Sequence, residues 1–103
     1  MDRSTQIKAM ASDKRVEILR LLSAPETHFS RQWSADPVAV GVCIQLIAEA
    51  LNIAQPTASR HVELLKHARF ITVQKQQKWS YCKRNDAGLQ DYFQWLKGEI
   101  NLP

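Results

Sequence analysis

The stretch that decides the fold runs from Leu46 to Phe70 and reads LIAEALNIAQPTASRHVELLKHARF. Apolar residues recur at helical spacing on both sides of Asn52-Ile53-Ala54, which predicts two helices joined by a tight turn. Pro56 falls in the first turn of the second helix, where the missing N–H of proline costs nothing. The buried stripe of this second helix is predicted, at steps of four and three residues, to consist of Ala58, Val62 and Leu65.

The stripe leaves a polar face free near the start of the second helix. A helix that presents short polar groups and an arginine there is suited to reading base edges in the major groove of DNA. Arg60 is the best candidate for guanine, because a planar guanidinium can donate two parallel hydrogen bonds. His61 could instead pack against the neighbouring hairpin, since it directly precedes the stripe. The residues predicted to face DNA from this helix are Gln55, Thr57, Ser59, Arg60 and His61.

The distribution of charge along the chain is more informative than its net charge of +4. Residues 55–84 hold seven basic residues and one acidic residue, a net charge of +6. The remainder holds seven basic and nine acidic residues, a net charge of −2. One end of the protein is therefore strongly positive, as a phosphate-facing surface should be, with an ordinary solvated charged face as the alternative.

Length and composition indicate a single globular domain over residues 1–103, with 45% apolar and 23% charged residues. No signal peptide is recognisable and no apolar run approaches the ~20 residues of a membrane span, so we expect a cytoplasmic protein without a membrane partner. Cys43 and Cys82 form neither a disulfide framework nor a zinc pattern, in keeping with a reducing compartment. No nucleophile–base pair or phosphate loop appears, so an enzyme is not expected.

The first half of the chain is predicted to be helical on either side of a long loop. Ser12 or Asp13 can cap the second helix, and Pro25 is expected to end it. The segment Ala24–Pro37 contains two prolines and no clear period, which predicts a loop of about fourteen residues. The expected helices span Ser4–Met10, Lys14–Leu22 and Pro37–Leu51, with Gly41 as an alternative start of the last.

After Phe70 the apolar period changes to two, which predicts a hairpin of two strands that turns near Gln76-Gln77-Lys78. The turn contains no glycine, so a longer turn is expected rather than a two-residue type I′ turn. Asp86 is the predicted cap of a final helix over Ala87–Ile100. One face of that helix carries Leu89, Tyr92, Phe93, Leu96 and Ile100.

This order of elements predicts a winged helix-turn-helix fold, mainly α with a small β-hairpin (α-α-α-α-β-β-α). The chain resembles the ArsR/SmtB family of dimeric bacterial winged-helix repressors over nearly its whole length except Ala24–Val40. It departs from the family at Ala54, where the usual serine would supply a helix cap worth ~1 kcal/mol, and at Gln77, near the usual glycine of the wing. The resemblance lies in ASDKRVEILRLL (Ala11–Leu22), LNIAQPTASRHVELLKHARFI (Leu51–Ile71) and KWSYCKR (Lys78–Arg84).

The resemblance implies a homodimer that binds double-stranded operator DNA and releases it when an effector binds. The hairpin, or wing, would contact phosphate or the minor groove through Lys75, Gln76, Gln77 and Lys78, which positions the protein without specifying sequence. Two-fold symmetry predicts an inverted-repeat operator. The alternative is a winged-helix protein-interaction module with only non-specific affinity for DNA. The predicted dimerisation residues are Ile7, Met10, Leu89, Tyr92, Phe93, Leu96 and Ile100.

The metal sites of the family are not reproduced in this chain, so neither a metal nor another cofactor is expected. Cys43 matches the first cysteine of the arsenic-sensor C-x-C pattern, but Gln45 stands at the second position. The final helix offers Asp91 and Glu99 without a histidine, which a zinc site there would need. Cys43 is a candidate redox or effector residue, with a buried structural thiol as the more frequent role. Cys82 is expected to be structural.

The segment Ala24–Val40 has no counterpart of the same length in the arsenic and zinc sensors of the family. Aromatic and charged side chains lie in it, next to the helix that bears Cys43. They are expected to form a packing lid over the core, with an effector pocket as the alternative. The side chains in question are His28, Phe29, Arg31 and Trp33.

Overall fold

The computed structural model describes residues 2–103 and contains six helices and three strands in that range. The strands form one antiparallel sheet, in which Trp79–Arg84 lies between Val42–Cys43 and Ile71–Gln76. This architecture confirms the predicted winged helix-turn-helix and adds a short helix, Pro25–His28, and a short strand, Val42–Cys43. The elements in chain order are α1 (Arg3–Met10), α2 (Asp13–Leu21), α3 (Pro25–His28), β1 (Val42–Cys43), α4 (Ile44–Leu51), α5 (Gln55–His67), β2 (Ile71–Gln76), β3 (Trp79–Arg84) and α6 (Asp86–Glu99).

Helices α4 and α5 form the predicted helix-turn-helix. Asn52 ends α4 in the left-handed conformation (φ 56°), which asparagine tolerates better than most residues. Pro56 lies in the first turn of α5. The predicted stripe is confirmed, because its three residues are all buried, each 0–1% exposed: Ala58, Val62 and Leu65.

The core joins the helix-turn-helix to the sheet and to the final helix. Phe70 follows α5 directly and is fully buried. Its ring meets that of Tyr92 on α6 edge-to-face, with the ring centroids 5.3 Å apart. Gln6 of α1 is also buried, and its side-chain amide donates to the carbonyl oxygen of Ala68 at 2.9 Å. The last turn of α5 is thus tied to both ends of the chain.

The predicted start, at Pro37 or Gly41, of the helix that ends at Leu51 is wrong. The Asp36 carboxylate accepts hydrogen bonds from the backbone N–H groups of Val38 and Ala39, which forms a turn instead of a helix. Val42 then pairs with Cys82 in the sheet, so the backbone stays extended until α4 begins at Ile44.

Three smaller boundaries also differ from the prediction. Pro25 begins the single-turn helix α3 rather than ending α2, which stops at Leu21. Asn85, not Asp86, caps α6, because its side-chain oxygen accepts from the N–H of Gly88. The wing turn has two residues, since Gln76 pairs with Trp79, and Gln77 alone in it takes a positive φ of 56°.

We expect Gly41→Ala to destabilise the fold by about 1–3 kcal/mol. Gly41 has φ +121°, and a Cβ there would lie 2.8 Å from the carbonyl oxygen of Cys82. Gly98→Ala is the matched control, because a Cβ at Gly98 of α6 meets nothing within 4 Å. Urea unfolding should show a lower midpoint for the first variant only, and equal midpoints would contradict the strain assigned to Gly41.

Candidate nucleic-acid interface

The exposed face of α5 carries most of the residues predicted to meet DNA. Gln55, Thr57 and Arg60 are exposed, whereas Ser59 and His61 are half-buried. This division follows from the stripe, since burying one face of a helix turns the opposite face to solvent. The structure therefore leaves the Arg60 guanidinium free to reach a partner.

Helix α5 begins without a side-chain cap, as the alanine at position 54 predicted. Ala54 is the N-cap residue and no side chain accepts a hydrogen bond from the first turn. The backbone N–H groups of such a turn lack intrahelical partners and carry the positive end of the helix dipole. They are therefore available to an anion such as a DNA phosphate.

The wing adds cations beside this helix. Lys75, Gln77 and Lys78 are exposed, and the Lys78 ammonium lies over the Trp79 ring, 5.5 Å from its centroid. None of the ion pairs within residues 2–103 uses Arg60, Lys75 or Lys78. These three charges are not neutralised inside the protein and create a positive surface.

Arg15 of α2 braces helix α5, a contact that the sequence did not predict. Its Nε donates to the carbonyl oxygen of Ala9 at 2.7 Å and its Nη2 to that of Lys8 at 3.0 Å. Its Nη1 lies 3.0 Å from Nδ1 of His61. A guanidinium can only donate, so Nδ1 accepts and the ring proton lies on Nε2. Helical periodicity gives no sign of this role, because Arg15 reads as an ordinary charged surface residue.

The pKa of His61 is lowered from its ordinary value of 6.5. Desolvation by burial is the largest cause, followed by the positive charges of Arg15, Lys14 and Arg60. The neutral ring is therefore the form that the fold favours, and it is the form that can accept from Arg15.

The residues predicted to form the dimer interface fall into two groups. Leu89 and Tyr92 are buried in the core of the protomer, and Met10 and Leu96 are half-buried. The other three predicted residues are large apolar side chains that remain exposed: Ile7 (47%), Phe93 (55%) and Ile100 (55%). Val16 of α2 is also exposed, and together with Met10, Phe93 and Leu96 it lines an apolar groove along α6.

Both cysteines are buried free thiols. Cys43 is the N-cap residue of α4 and makes no capping hydrogen bond. Burial raises the pKa of the Cys82 thiol to about 12, with a smaller contribution from Cys43. No group of three or more His, Cys, Asp or Glu side chains within residues 2–103 is arranged to hold a metal ion.

The segment Ala24–Val40, which we call the inserted loop, packs against the core only in part. Phe29 is buried in the core, as the lid interpretation expects, whereas Trp33 is 86% exposed. Arg31 reaches α4 and pairs with Glu49 at 2.6 Å, and His28 is exposed at the end of α3. The segment is thus anchored by one aromatic side chain and displays the other.

The chain is similar in sequence to two bacterial regulators. It is 32% identical over 93 residues, 90% of this chain and 93% of the relative, to the uncharacterised HTH-type transcriptional regulator YbzH of Bacillus subtilis. It is 36% identical over 55 residues, 53% of this chain and 61% of the relative, to the transcriptional repressor SdpR of the same organism. No family model matches the chain.

Solved structures share the fold at lower sequence identity. A crystal structure of an ArsR family transcriptional regulator superposes with a TM-score of 0.71 at 18% identity, over 96% of this chain and 87% of the other. A homodimeric winged helix-turn-helix DNA-binding domain from Mycobacterium bovis gives 0.63 at 18% identity, over 97% and 81%. This chain belongs to the helix-turn-helix transcriptional regulators, and it shares its fold with regulators of the ArsR family. The relatives that it matches are regulators of transcription rather than enzymes. Within residues 2–103, no helix combines the length and apolar character needed to cross a bilayer.

We expect His61→Gln to make stability less sensitive to mild acid. The pKa of His61 is lower in the folded state than in the unfolded state. The neutral ring therefore contributes to the free energy of unfolding above pH 6.5, and this contribution is lost as pH falls from 6.5 through the lowered pKa. Glutamine can still accept from Arg15 but cannot titrate. Urea unfolding at about pH 7.5 and about pH 5.5 should show that the free energy of unfolding falls less for the variant than for the natural protein. An equal loss would exclude His61 as its source.

Proposed function

We propose that this regulator is a sequence-specific repressor that binds an inverted-repeat operator as a homodimer. The observation that carries the proposal is Arg60, which is exposed on the polar face of α5 and belongs to no ion pair within residues 2–103. Beside it lies a wing whose Lys75 and Lys78 also belong to no such ion pair. Operator binding needs phosphate attraction and base discrimination. Cations that form no internal ion pair supply the first, and the polar face of the helix supplies the second.

Each group has a distinct role in this proposal. Arg60 reads guanine in the major groove, and the shorter side chains Gln55, Thr57 and Ser59 discriminate neighbouring bases. His61 is held by Arg15 with its Nε2–H directed away from that contact, and it donates to DNA through this nitrogen. Lys75, Gln77 and Lys78 of the wing anchor the protein on phosphate or in the minor groove, which raises affinity for every sequence alike.

Dimerisation is proposed through α6 together with α1. Three large apolar side chains on or next to these helices are 47–55% exposed: Ile7, Phe93 and Ile100. Exposed apolar patches on a small protein typically mark an interaction surface. The neighbour from Mycobacterium bovis is homodimeric and shares the fold. A two-fold pair of reading helices then requires half-sites about one helical turn apart or slightly more. The working unit would be the single domain of residues 1–103, acting in the cytoplasm where the DNA is.

Arg60→Ala and Lys78→Ala should affect DNA binding differently. Loss of a bidentate base contact should cost about 1–3 kcal/mol on the cognate site and little on random DNA. Loss of a phosphate contact should weaken both complexes alike and reduce the salt dependence by about one unit of slope.

The measurement is fluorescence anisotropy on a duplex selected from a random pool and on a scrambled duplex, each at two salt concentrations. If the natural protein binds both duplexes equally at physiological salt, the protein-interaction alternative replaces the repressor. If the two variants behave identically, the assigned roles of base reader and phosphate anchor are wrong.

Phe93→Glu should convert the dimer into a monomer in sedimentation velocity, because a charge replaces an apolar side chain at the proposed interface. The exposed position lets the protomer fold normally, which circular dichroism can verify. Gln94→Glu adds the same charge at the neighbouring exposed position of α6 and serves as the matched control. A dimer that survives Phe93→Glu would place the interface on another surface.

A further inference from the structure

A pocket of about 310 Å³ lies between the inserted loop, helix α4 and the first residue of β3. It is separate from the exposed face of α5 and from the apolar groove of α6. We refer to it as the loop pocket. The side chains that give it its chemistry are Trp33, Trp79, Leu46, Gln45, Arg31 and Glu49.

The loop pocket is held in shape by hydrogen bonds behind its wall. The side-chain amide of Gln32 donates to the carbonyl oxygens of Ala35 and Gly41 at 2.8 and 2.9 Å. Its oxygen accepts from the N–H of Cys43 at 2.8 Å. The hydroxyl of Tyr81 on β3 donates to Ser34 at 2.9 Å. The inserted loop is thus fastened to α4 and to the sheet, so the pocket exists before anything binds, as is usual for small-molecule sites.

The apolar part of the loop pocket is aromatic and open. Trp33 is 86% exposed, the highest value among the large apolar residues that stay exposed. Trp79 is half-buried, and within residues 2–103 neither indole packs against another aromatic ring. A flat ring entering beside Trp33 would cover an indole that the protein itself leaves bare, and stacked aromatic pairs gain beyond simple area burial.

The polar part of the loop pocket carries no net charge. Arg31 and Glu49 neutralise each other through their 2.6 Å pair. No hydrogen bond within residues 2–103 uses the side-chain amide of Gln45, so it can both donate to and accept from a ligand. A neutral compound fits such a rim better than an ion, because an ion would have to compete with an existing salt bridge.

We propose that the loop pocket binds a small, neutral, planar aromatic compound that carries an amide or a similar hydrogen-bonding group, and that this compound is an effector. Two contacts connect the site to the DNA-binding surface. Trp79 supports Lys78 of the wing on its ring, and Leu46 and Glu49 lie on α4, the helix that packs against α5. The effector role rests on the proposed function, whereas the binding site does not.

Binding is tested with benzamide as the probe and cyclohexanecarboxamide as its non-aromatic match, by NMR of the indole N–H signals. Benzamide should shift the signals of Trp33 and Trp79 and leave that of Trp95, which already packs against Arg3, unchanged. Cyclohexanecarboxamide should bind the natural protein up to about tenfold more weakly than benzamide does. Benzamide should bind the Trp33→Ala variant more weakly by a similar factor. Trp33→Phe should retain binding because it keeps an aromatic ring.

Equal affinity of the two amides would overturn the proposal that the ligand is aromatic. Tighter binding of benzoate or benzylamine would overturn the proposal that it is uncharged. Signals of Trp33 and Trp79 that never move with benzamide would overturn the site itself. A signal of Trp95 that moves in parallel would do the same, because it would indicate non-specific binding.

The effector role is tested by repeating the DNA titration on the selected duplex with the loop pocket saturated by benzamide. The dissociation constant for DNA should change for the natural protein. Trp33→Ala, which lies outside the DNA-binding surface, should need up to about tenfold more benzamide to reach half of that change. An unchanged constant for the natural protein overturns the effector role. Failure of the proposed function is distinguishable from this result, because it appears as equal binding of selected and scrambled DNA without benzamide.

Discussion

Burial of the apolar stripe of α5 is the interaction on which the rest of the structure depends. Val62 and Leu65 are each 0–1% exposed, and full burial of such side chains contributes about 1.5–3 kcal/mol apiece. The stripe sets the rotation of the helix about its axis, so it decides which residues face solvent. Arg60 faces outward because Ala58 and Val62 face inward. The same packing carries the chain through Phe70 into β2, which brings the wing beside the helix it assists.

The parts of the fold that could be predicted are those where a pattern repeats. The stripe of α5 and the two-residue alternation of the hairpin each extend over several residues, so one exception does not hide them. Asp36-Pro37 shows the limit of local signals. An aspartate before proline is typical of both a helix start and a turn, and pairing of Val42 with Cys82 selects the turn. Only the sheet supplies that information, because the partner strand lies 40 positions further along the chain.

The wing turn and the cap of α6 were missed for related reasons. Gln77 adopts a positive φ that glycine usually provides, because the register of Gln76 against Trp79 leaves only two residues to reverse the chain. Asn85 and Asp86 can both cap a helix, and the hydrogen bond to Gly88 selects the first. For the candidate site, composition indicates the exposed polar face of α5, but it gives no sign that Arg15 fixes the ring of His61. A contact between residues 46 positions apart leaves no trace in helical periodicity.

In the proposed mechanism, DNA binding and ligand binding use separate surfaces of the protein. The proposed DNA-binding surface is built from cations that form no ion pair within residues 2–103, whereas Arg31 of the inserted loop is neutralised by Glu49. A positive surface attracts phosphate over a long range, and a neutral pocket does not compete with it. Trp79 is the point at which the two meet, with its indole lining the pocket and Lys78 resting on its ring. A ligand that contacts this indole can therefore alter the position of a wing cation without approaching the DNA, which is the differential contact that any effector needs in order to shift an affinity.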